Sequence, residues 1–261
     1  MQMRKFGVNI NRINHIFISH LHGDHYFGLP GLLSTMHMMG RVKPIKIYGP
    51  IGLKQIVTIQ LEAGKGRLAF DLDFYEIEPN ESGILFEDAK VIVSCFPLQH
   101  KIPTSGFRVD EKENERKLLG DKAHNDGIKI EHFHKLKAGK DVEDEDRIIR
   151  FEEYTEAATP PKSYAYCSDT AYSEVTVEAV RKVDFLYHEA TFVEKLRDRA
   201  KATKHSTAQD AAEVAKKAEV GQLLMGHFSA RYDTGEQHLV EATAIFEASR
   251  CVEDGEIIEI V

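Results

Sequence analysis

The stretch Ser19-His20-Leu21-His22-Gly23-Asp24-His25 decides the fold of this chain. It contains three histidines and one aspartate in the pattern H-x-H-x-D-H, and it follows the apolar run Ile16-Phe17-Ile18, which predicts a buried strand. Imidazole and carboxylate groups are typical ligands of zinc and similar divalent ions. On an extended chain the first two histidines point the same way, and a turn at the glycine lets the aspartate and the last histidine face a second point. The stretch therefore predicts a strand end that serves two adjacent metals. A surface histidine-rich loop is the alternative, but structural histidines seldom cluster at ligand spacing after a buried strand.

The composition is that of a globular protein. The 261 residues suffice for one large domain with a sizeable core, and 42% of them are hydrophobic and 29% charged. The first residues lack the apolar core of a signal peptide, and no apolar run approaches the length of a membrane span. Three scattered cysteines, Cys95, Cys167 and Cys251, fit neither a disulfide framework nor a cysteine zinc site. We therefore predict a cytoplasmic protein that does not enter a membrane.

The net charge of −8 argues against a surface coated for nucleic acid, because phosphate binding depends on Lys and Arg. It leaves room for a local basic surface, either at Lys43 with Lys46 and Lys54 or at residues 195–204. A solvated helix face is the simpler interpretation of each stretch taken alone.

Short apolar runs alternate with helical stretches along the rest of the chain. Runs rich in β-branched and aromatic residues predict strands at 45–48, 90–96, 163–167 and 185–187. Helices are predicted at 31–36, after Ser173 and after Thr207. Both of these residues are of types that cap helix N-termini, and Asp210 stands three positions after Thr207, as in a capping box.

Three further metal-capable residues follow apolar strands far along the chain. His100 comes after the strand at 90–96, Asp169 after the strand at 163–167, and His227 after the apolar run 222–226. Strand ends gather at one edge of a sheet, so these distant positions can converge. A lone histidine after a strand is usually structural, but the joint occurrence of all three with the first cluster favours a metal site.

Residues 108–160 differ from the rest of the chain. They are rich in Lys, Glu and Asp and show little apolar periodicity, and the segment closes at Thr159-Pro160-Pro161. We predict a single domain over residues 1–261 with an arm inserted at about 108–160. An ordinary long surface excursion is the alternative.

The order H-x-H-x-D-H, His, Asp, His resembles that of the metallo-β-lactamase superfamily. Finer motifs are similar to those of ribonuclease Z, the endonuclease that trims the 3′ end of precursor tRNA. The resemblance extends over nearly the whole chain and is carried by four stretches: Phe17–His25 with Gly28–Leu33, Tyr166–Thr170, His188–Phe192 with Lys204–Thr207, and Gly226–Tyr232. The first is shared across the superfamily, whereas the last two are much more specific to ribonuclease Z.

The resemblance implies an α/β fold, the metallo-β-lactamase αββα sandwich, with the site at one edge. Superfamily members usually place strands ahead of the H-x-H-x-D-H motif, so we expect some N-terminal strands to be lacking here. Two Zn²⁺ per subunit are implied, with Mn²⁺ or Fe²⁺ as alternatives. By position, one zinc is expected on His20, His22 and His100, the other on Asp24, His25 and His227, with Asp169 as the bridge.

The resemblance also implies three catalytic residues and a metal-activated water. Asp24 would accept a proton from that water, and Glu189 would pair with His205, which reaches the scissile phosphate or the leaving 3′ oxygen. A carboxylate beside an imidazole raises its pKa and favours the protonated donor. We expect His188 to be structural.

The expected function is that of a zinc-dependent endoribonuclease that acts on precursor tRNA, and members of the family pair as homodimers. Two alternatives stay open: a small-molecule phosphodiesterase of the same fold, and a catalytically inactive metal- or RNA-binding protein. The inserted segment and residues 227–232 favour the nuclease. A site released from catalysis has no reason to keep seven ligands, which argues against the inactive protein.

Overall fold

The computed structural model describes residues 2–65, 67–144 and 147–260. The chain divides into two compact units. The first consists of Met1–Phe86, Val93–Val109 and Ser163–Val261, and the second of Glu87–Ile92 and Asp110–Lys162. Every candidate site residue belongs to the first unit. The interpretation of the inserted segment as an arm on a single domain stays a prediction.

The described residues form fourteen strands and eleven α-helices. The strands are β1 (His15–Phe17), β2 (Ile45–Pro50), β3 (Leu72–Ile77), β4 (Gly83–Glu87), β5 (Val91–Leu98), β6 (Thr104–Glu111), β7 (Lys117–Leu118), β8 (Val142–Asp144), β9 (Arg147–Ile149), β10 (Thr155–Glu156), β11 (Ser163–Cys167), β12 (Phe185–Glu189), β13 (Gln222–Gly226) and β14 (Ser249–Cys251). The helices are α1 (Gln2–Lys5), α2 (Gly23–Tyr26), α3 (Gly28–Met38), α4 (Leu53–Ala63), α5 (Gly120–Asn125), α6 (Phe133–Lys137), α7 (Phe151–Tyr154), α8 (Glu174–Ala179), α9 (Arg197–Thr203), α10 (Ala208–Lys217) and α11 (Glu236–Thr243).

Two sheets carry the first unit. The smaller sheet has the strand order β1-β2-β3, and its strands are parallel. The larger has the order β14-β13-β12-β11-β6-β5-β4, and β11 to β14 are parallel to one another. Because parallel strands end at the same edge of a sheet, the residues that follow β11, β12 and β13 come close together.

Apolar packing sets these sheets into four layers. The small sheet packs on α3 and α4 through Leu33, Ile47 and Val57. The larger sheet packs on α8 and α10 through a cluster that includes Val177, Leu186, Val214 and Met225. Between the two sheets lies a third cluster that contains Tyr48, Ile77, Cys95 and Phe107. This arrangement confirms the predicted αββα sandwich, and the prediction about preceding strands stays a prediction.

The local sequence signals that predicted the elements are visible in the structure. The Ser173 side chain accepts a hydrogen bond from the Val175 amide at the start of α8. Thr207 and Asp210 form a complete capping box at the start of α10. Across the described ranges, no helix combines the length and the apolar character that crossing a bilayer requires.

The second unit has more internal packing than its sequence suggests. The antiparallel pair β8–β9 and the short pair β7–β10 accompany α5, α6 and α7. Ala123, Leu136 and Ile149 are buried together in a small apolar cluster. Its apolar residues are spaced irregularly over short elements, and periodicity is a poor guide to such packing.

Candidate active site

The predicted site residues lie just beyond the carboxyl ends of strands. His20 follows β1, His100 follows β5, Asp169 follows β11 and His227 follows β13. Glu189 is the last residue of β12 and pairs in register with Gly226. Four predicted residues lie elsewhere: His22, Asp24 and His25 stand at the start of the short helix α2, and His205 lies in the segment between α9 and α10. Residues separated by most of the chain length therefore meet at one edge.

Four side chains form a first group. Nε2 of His20 and Nε2 of His100 lie 3.0 and 3.2 Å from Nδ1 of His22. Oδ2 of Asp169 lies 3.6 Å from His20 Nε2 and 3.7 Å from His100 Nε2. All four potential ligand atoms lie within 4.8 Å of one another. The group offers three nitrogens and one oxygen around a common point.

The second group contains the other three predicted ligands. Nε2 of His25 lies 3.3 Å from Oδ2 of Asp24, and Nε2 of His227 lies 3.9 Å from the same oxygen. Oδ1 of Asp169 lies 3.4 Å from His25 Nε2 and 3.3 Å from His227 Nε2. The two carboxylate oxygens of Asp169 therefore face different groups, which is the geometry of a bridging ligand.

The chemistry of these groups fits divalent metals. Buried polar atoms that lack a partner cost free energy unless they bind a ligand. Within the described ranges, Nε2 of His25 and Oδ1 of Asp169 are buried atoms without a hydrogen bond. Burial, followed by the neighbouring imidazole of His25, lowers the pKa of His20 to about 2. A neutral imidazole keeps the lone pair that a metal needs.

The histidines that present Nε2 to the groups are held through their other ring nitrogen. His100 Nδ1 lies 2.9 Å from the carbonyl oxygen of Lys204, and His227 Nδ1 lies 2.9 Å from the hydroxyl of Thr191. The partners of the other two are serines: Ser19 for His20 at 3.1 Å and Ser168 for His25 at 3.4 Å. Such partners fix the orientation and tautomer of a metal-binding imidazole.

Glu189 and His205 form a buried acid–imidazole pair beside the two groups. Nδ1 of His205 lies 2.8 Å from Oε1 of Glu189, and its Nε2 faces Asp169 at 3.9 Å. Burial would lower the pKa of His205, but the hydrogen bond and charge of Glu189 outweigh it and raise that pKa. Burial would raise the pKa of Glu189, but His205 and the hydrogen bonds from Thr170 and Thr191 lower it. The pair therefore favours a protonated imidazole with its Nε2–H directed at the site.

Thr191 is a site residue to which the sequence analysis assigned no role. Its hydroxyl donates to Oε2 of Glu189 at 2.7 Å and also contacts the Nδ1 atoms of His205, at 3.2 Å, and His227, at 2.9 Å. Ser19, Ser168 and Lys204 were likewise missed as supporting residues. All four lie inside the motifs that carry the family resemblance, which is the one signal that could have indicated them.

His188 lies apart from both groups. It is fully buried, its Nδ1 lies 2.7 Å from the carbonyl oxygen of Glu189, and burial lowers its pKa. A neutral, buried imidazole that bonds the backbone suits the structural role expected of it, which stays a prediction.

Replacement of Thr191 by valine should destabilise the metal-free protein. The change keeps the side chain's shape but removes the hydroxyl that donates to Glu189, which leaves a buried carboxylate short of one hydrogen bond. A loss of about 1–3 kcal/mol in the free energy of unfolding is expected, measured by urea denaturation. Thr191→Ser keeps the hydroxyl and serves as the control. Equal stability of the valine variant and the wild type would contradict the role given to this hydrogen bond.

Comparison with known proteins places the chain in a family. Ribonuclease Z of Bacteroides fragilis (strain YCH46) is 42% identical over 247 residues, which cover 94% of this chain and 81% of that protein. The chain belongs to the ribonuclease Z family. Residues 1–134 also match the family described as Anti-Pycsar protein Apyc1. That match ends ahead of Asp169, Glu189, His205 and His227, whereas the ribonuclease Z relatives match nearly the whole chain.

Solved structures agree with this membership. The crystal structure of human tRNase Z, short form, is 28% identical and has a TM-score of 0.71, with 99% of this chain and 83% of that chain covered. A diphosphatase from the PhnP family has a TM-score of 0.59 at 14% identity, and covers 99% of this chain and 75% of that one. The second likeness concerns the fold alone. The family resemblance in the ribonuclease Z motifs is thus confirmed.

Proposed function

We propose that this chain is a zinc-dependent endoribonuclease that cleaves the 3′ trailer from precursor tRNA by a metal-activated water. The observation that carries the proposal is the Glu189–His205 pair, whose imidazole faces two adjoining groups of metal-binding side chains. Membership in the ribonuclease Z family and the likeness to human tRNase Z support the choice of tRNA as substrate.

Two Zn²⁺ ions are proposed as the cofactor. The first would be held by His20, His22 and His100, the second by Asp24, His25 and His227, and Asp169 would bridge them. A bound pair of this kind supplies an activated water near neutral pH and neutralises charge on the phosphoryl oxygens. The mixed nitrogen and oxygen ligands suit zinc, and would also accept Mn²⁺ or Fe²⁺.

Asp24 is the proposed acceptor of the proton that leaves the attacking water. Its side chain is 69% exposed, unlike the nearly buried carboxylate of Asp169. One of its oxygens faces His25 and His227, so the other stays available to solvent and substrate. An exposed carboxylate can pass a proton on to bulk water, which a general base must do between turnovers.

His205 is the proposed donor to the leaving 3′ oxygen. Glu189 holds its Nδ1 and favours the protonated ring, so the Nε2–H can be delivered to an alkoxide that develops beside Asp169. Glu189 itself is fully buried and is hydrogen-bonded by Thr170, Thr191 and His205. It positions His205 and does not reach the substrate.

The proposed assembly is a homodimer in the cytoplasm. Phe27, Met38, Met39 and Val42 are large apolar side chains that are 56–75% exposed on or beside α3. Exposed apolar surface of this kind is typical of protein contacts. Three free cysteines and a tRNA substrate fit a reducing compartment. Light scattering of the purified protein measures the dimer directly, and a monomer at micromolar concentration would exclude it.

The function is tested with two substrates. The protein is incubated with a 3′-extended precursor tRNA and, separately, with bis(p-nitrophenyl) phosphate, each with and without a chelator. Cleavage of the tRNA after the discriminator base, abolished by the chelator, is the expected result. Activity on the small ester alone would replace the proposal by a small-molecule phosphodiesterase. Activity on neither would indicate an inactive metal- or RNA-binding protein.

A further inference from the structure

Two serine hydroxyls connect the two metal-binding groups behind the site. Ser19 follows β1 of the small sheet, and Ser168 follows β11 of the larger sheet. The Ser19 hydroxyl donates to the Ser168 hydroxyl at 3.1 Å. At its ends this pair reaches Nδ1 of His20, 3.1 Å from Ser19, and Nδ1 of His25, 3.4 Å from Ser168. Each histidine belongs to a different group.

Both serines are buried, so water does not readily replace either hydroxyl. Ser19 is 5% exposed and Ser168 is 2% exposed. The Ser19 backbone is held as well, because its carbonyl oxygen accepts from the amide of Ser105 at 3.0 Å. Loss of one hydroxyl would therefore leave its partners without a substitute.

The positions of the protons give this chain of hydroxyls a direction. His20 and His25 turn Nε2 toward Asp169, so in a metal-binding tautomer each ring carries its hydrogen on Nδ1. His20 then donates to Ser19, Ser19 donates to Ser168, and His25 also donates to Ser168. A hydroxyl oxygen has two lone pairs, so Ser168 can accept both hydrogen bonds. The Ser168 oxygen thus accepts directly from His25 and is connected to His20 through the Ser19 hydroxyl.

We propose that the Ser19–Ser168 hydroxyl pair is a positioning device that ties the two metal-binding groups together, so that each serine supports both metals. The inference rests on the proposed two-metal function. It differs from ordinary support of single ligands, in which each serine would affect its own histidine alone. Support of single ligands is also present: Thr191 contacts Nδ1 of His227, and the carbonyl oxygen of Lys204 contacts Nδ1 of His100. No shared hydroxyl links these two histidines among the described residues.

The test measures metal binding and needs no RNA. Metal-free wild type, Ser19→Ala, Ser168→Ala and the double variant are titrated with Zn²⁺ against a competing chelator, and with Co²⁺ followed by its visible absorbance. Each single variant should weaken both binding steps by about 10–100-fold. The double variant should bind metal no more weakly than the weaker-binding single variant, because every variant interrupts the same chain of hydrogen bonds. Ser19→Thr, which keeps the hydroxyl, should restore binding.

One control variant separates this role from a general effect of serine replacement. Ser34→Ala changes a serine whose hydroxyl bonds only within α3, and should leave both steps unchanged. A loss confined to one step, losses that multiply in the double variant, or unchanged binding would each overturn the proposal. If Ser168→Ala does not fold, Ser19→Ala alone must still weaken both steps. A wild type that binds two metals without cleaving tRNA would refute the proposed function and leave this inference standing.

Discussion

His205→Ala should retain two metals per chain and lose cleavage of precursor tRNA by about 10²–10⁴-fold, the usual contribution of a positioned proton donor. The reason is geometric: His205 Nδ1 is bound to Glu189, while Nε2 faces the site 3.9 Å from Asp169 Oδ2. Single-turnover kinetics measures the loss of cleavage activity, and metal analysis of the same sample measures the number of metals bound per chain.

The control is His37→Ala, which removes an exposed imidazole on α3 and should leave cleavage unchanged. The geometry also allows His205 to be a metal ligand, and the same experiment distinguishes this role from that of a proton donor. Asp169, His205 and His227 together could hold an ion, since their ligand atoms lie within 4.8 Å of one another. Loss of a metal from His205→Ala would make His205 a ligand and remove it as the proton donor.

Asp169→Ala should release both metals and reduce cleavage by on the order of 10³-fold or more. Its two oxygens face different groups, Oδ2 toward His20 and His100 and Oδ1 toward His25 and His227. A bound metal supplies several kcal/mol of charge stabilisation, and each 1.36 kcal/mol is tenfold in rate, roughly.

Asp169→Asn is the graded comparison. It keeps the shape and one oxygen but replaces the other with an amide nitrogen, so one group should bind metal and the other should not. Asp71→Ala, at an exposed aspartate outside the site, is the neutral control. Retention of two metals by Asp169→Ala would show that the aspartate does not bridge them.

The sequence was informative wherever a signal is local. The strand at 163–167 and the capping box of Thr207 and Asp210 are present as predicted. A histidine or aspartate directly after an apolar strand can be recognised from the sequence, because this pattern involves only residues that are neighbours along the chain. Four of the seven candidate ligands are of this kind, namely His20, His100, Asp169 and His227, and the structure brings them together with the other three.

No local sequence pattern identifies the supporting residues, because the contacts that join Ser168 and Lys204 to the site link positions remote in sequence. The Ser19–Ser168 contact joins residues that follow strands of two different sheets. Lys204 supports His100 through its backbone carbonyl, which any residue type carries, and it does so from a left-handed conformation with φ of 55°. His227 also adopts a positive φ, 61°. Such conformations are uncommon for residues other than glycine and have no sequence signature here.

The order of the ligands along the chain has a consequence for synthesis. A ribosome releases His20, His22, Asp24 and His25 first, but the first group is complete only when Asp169 has emerged, and the second only when His227 has. The edge of the larger sheet is incomplete before β11 and β13 are made. If the proposed metals bind, a nascent chain would hold an ion only weakly, and tight loading would follow folding.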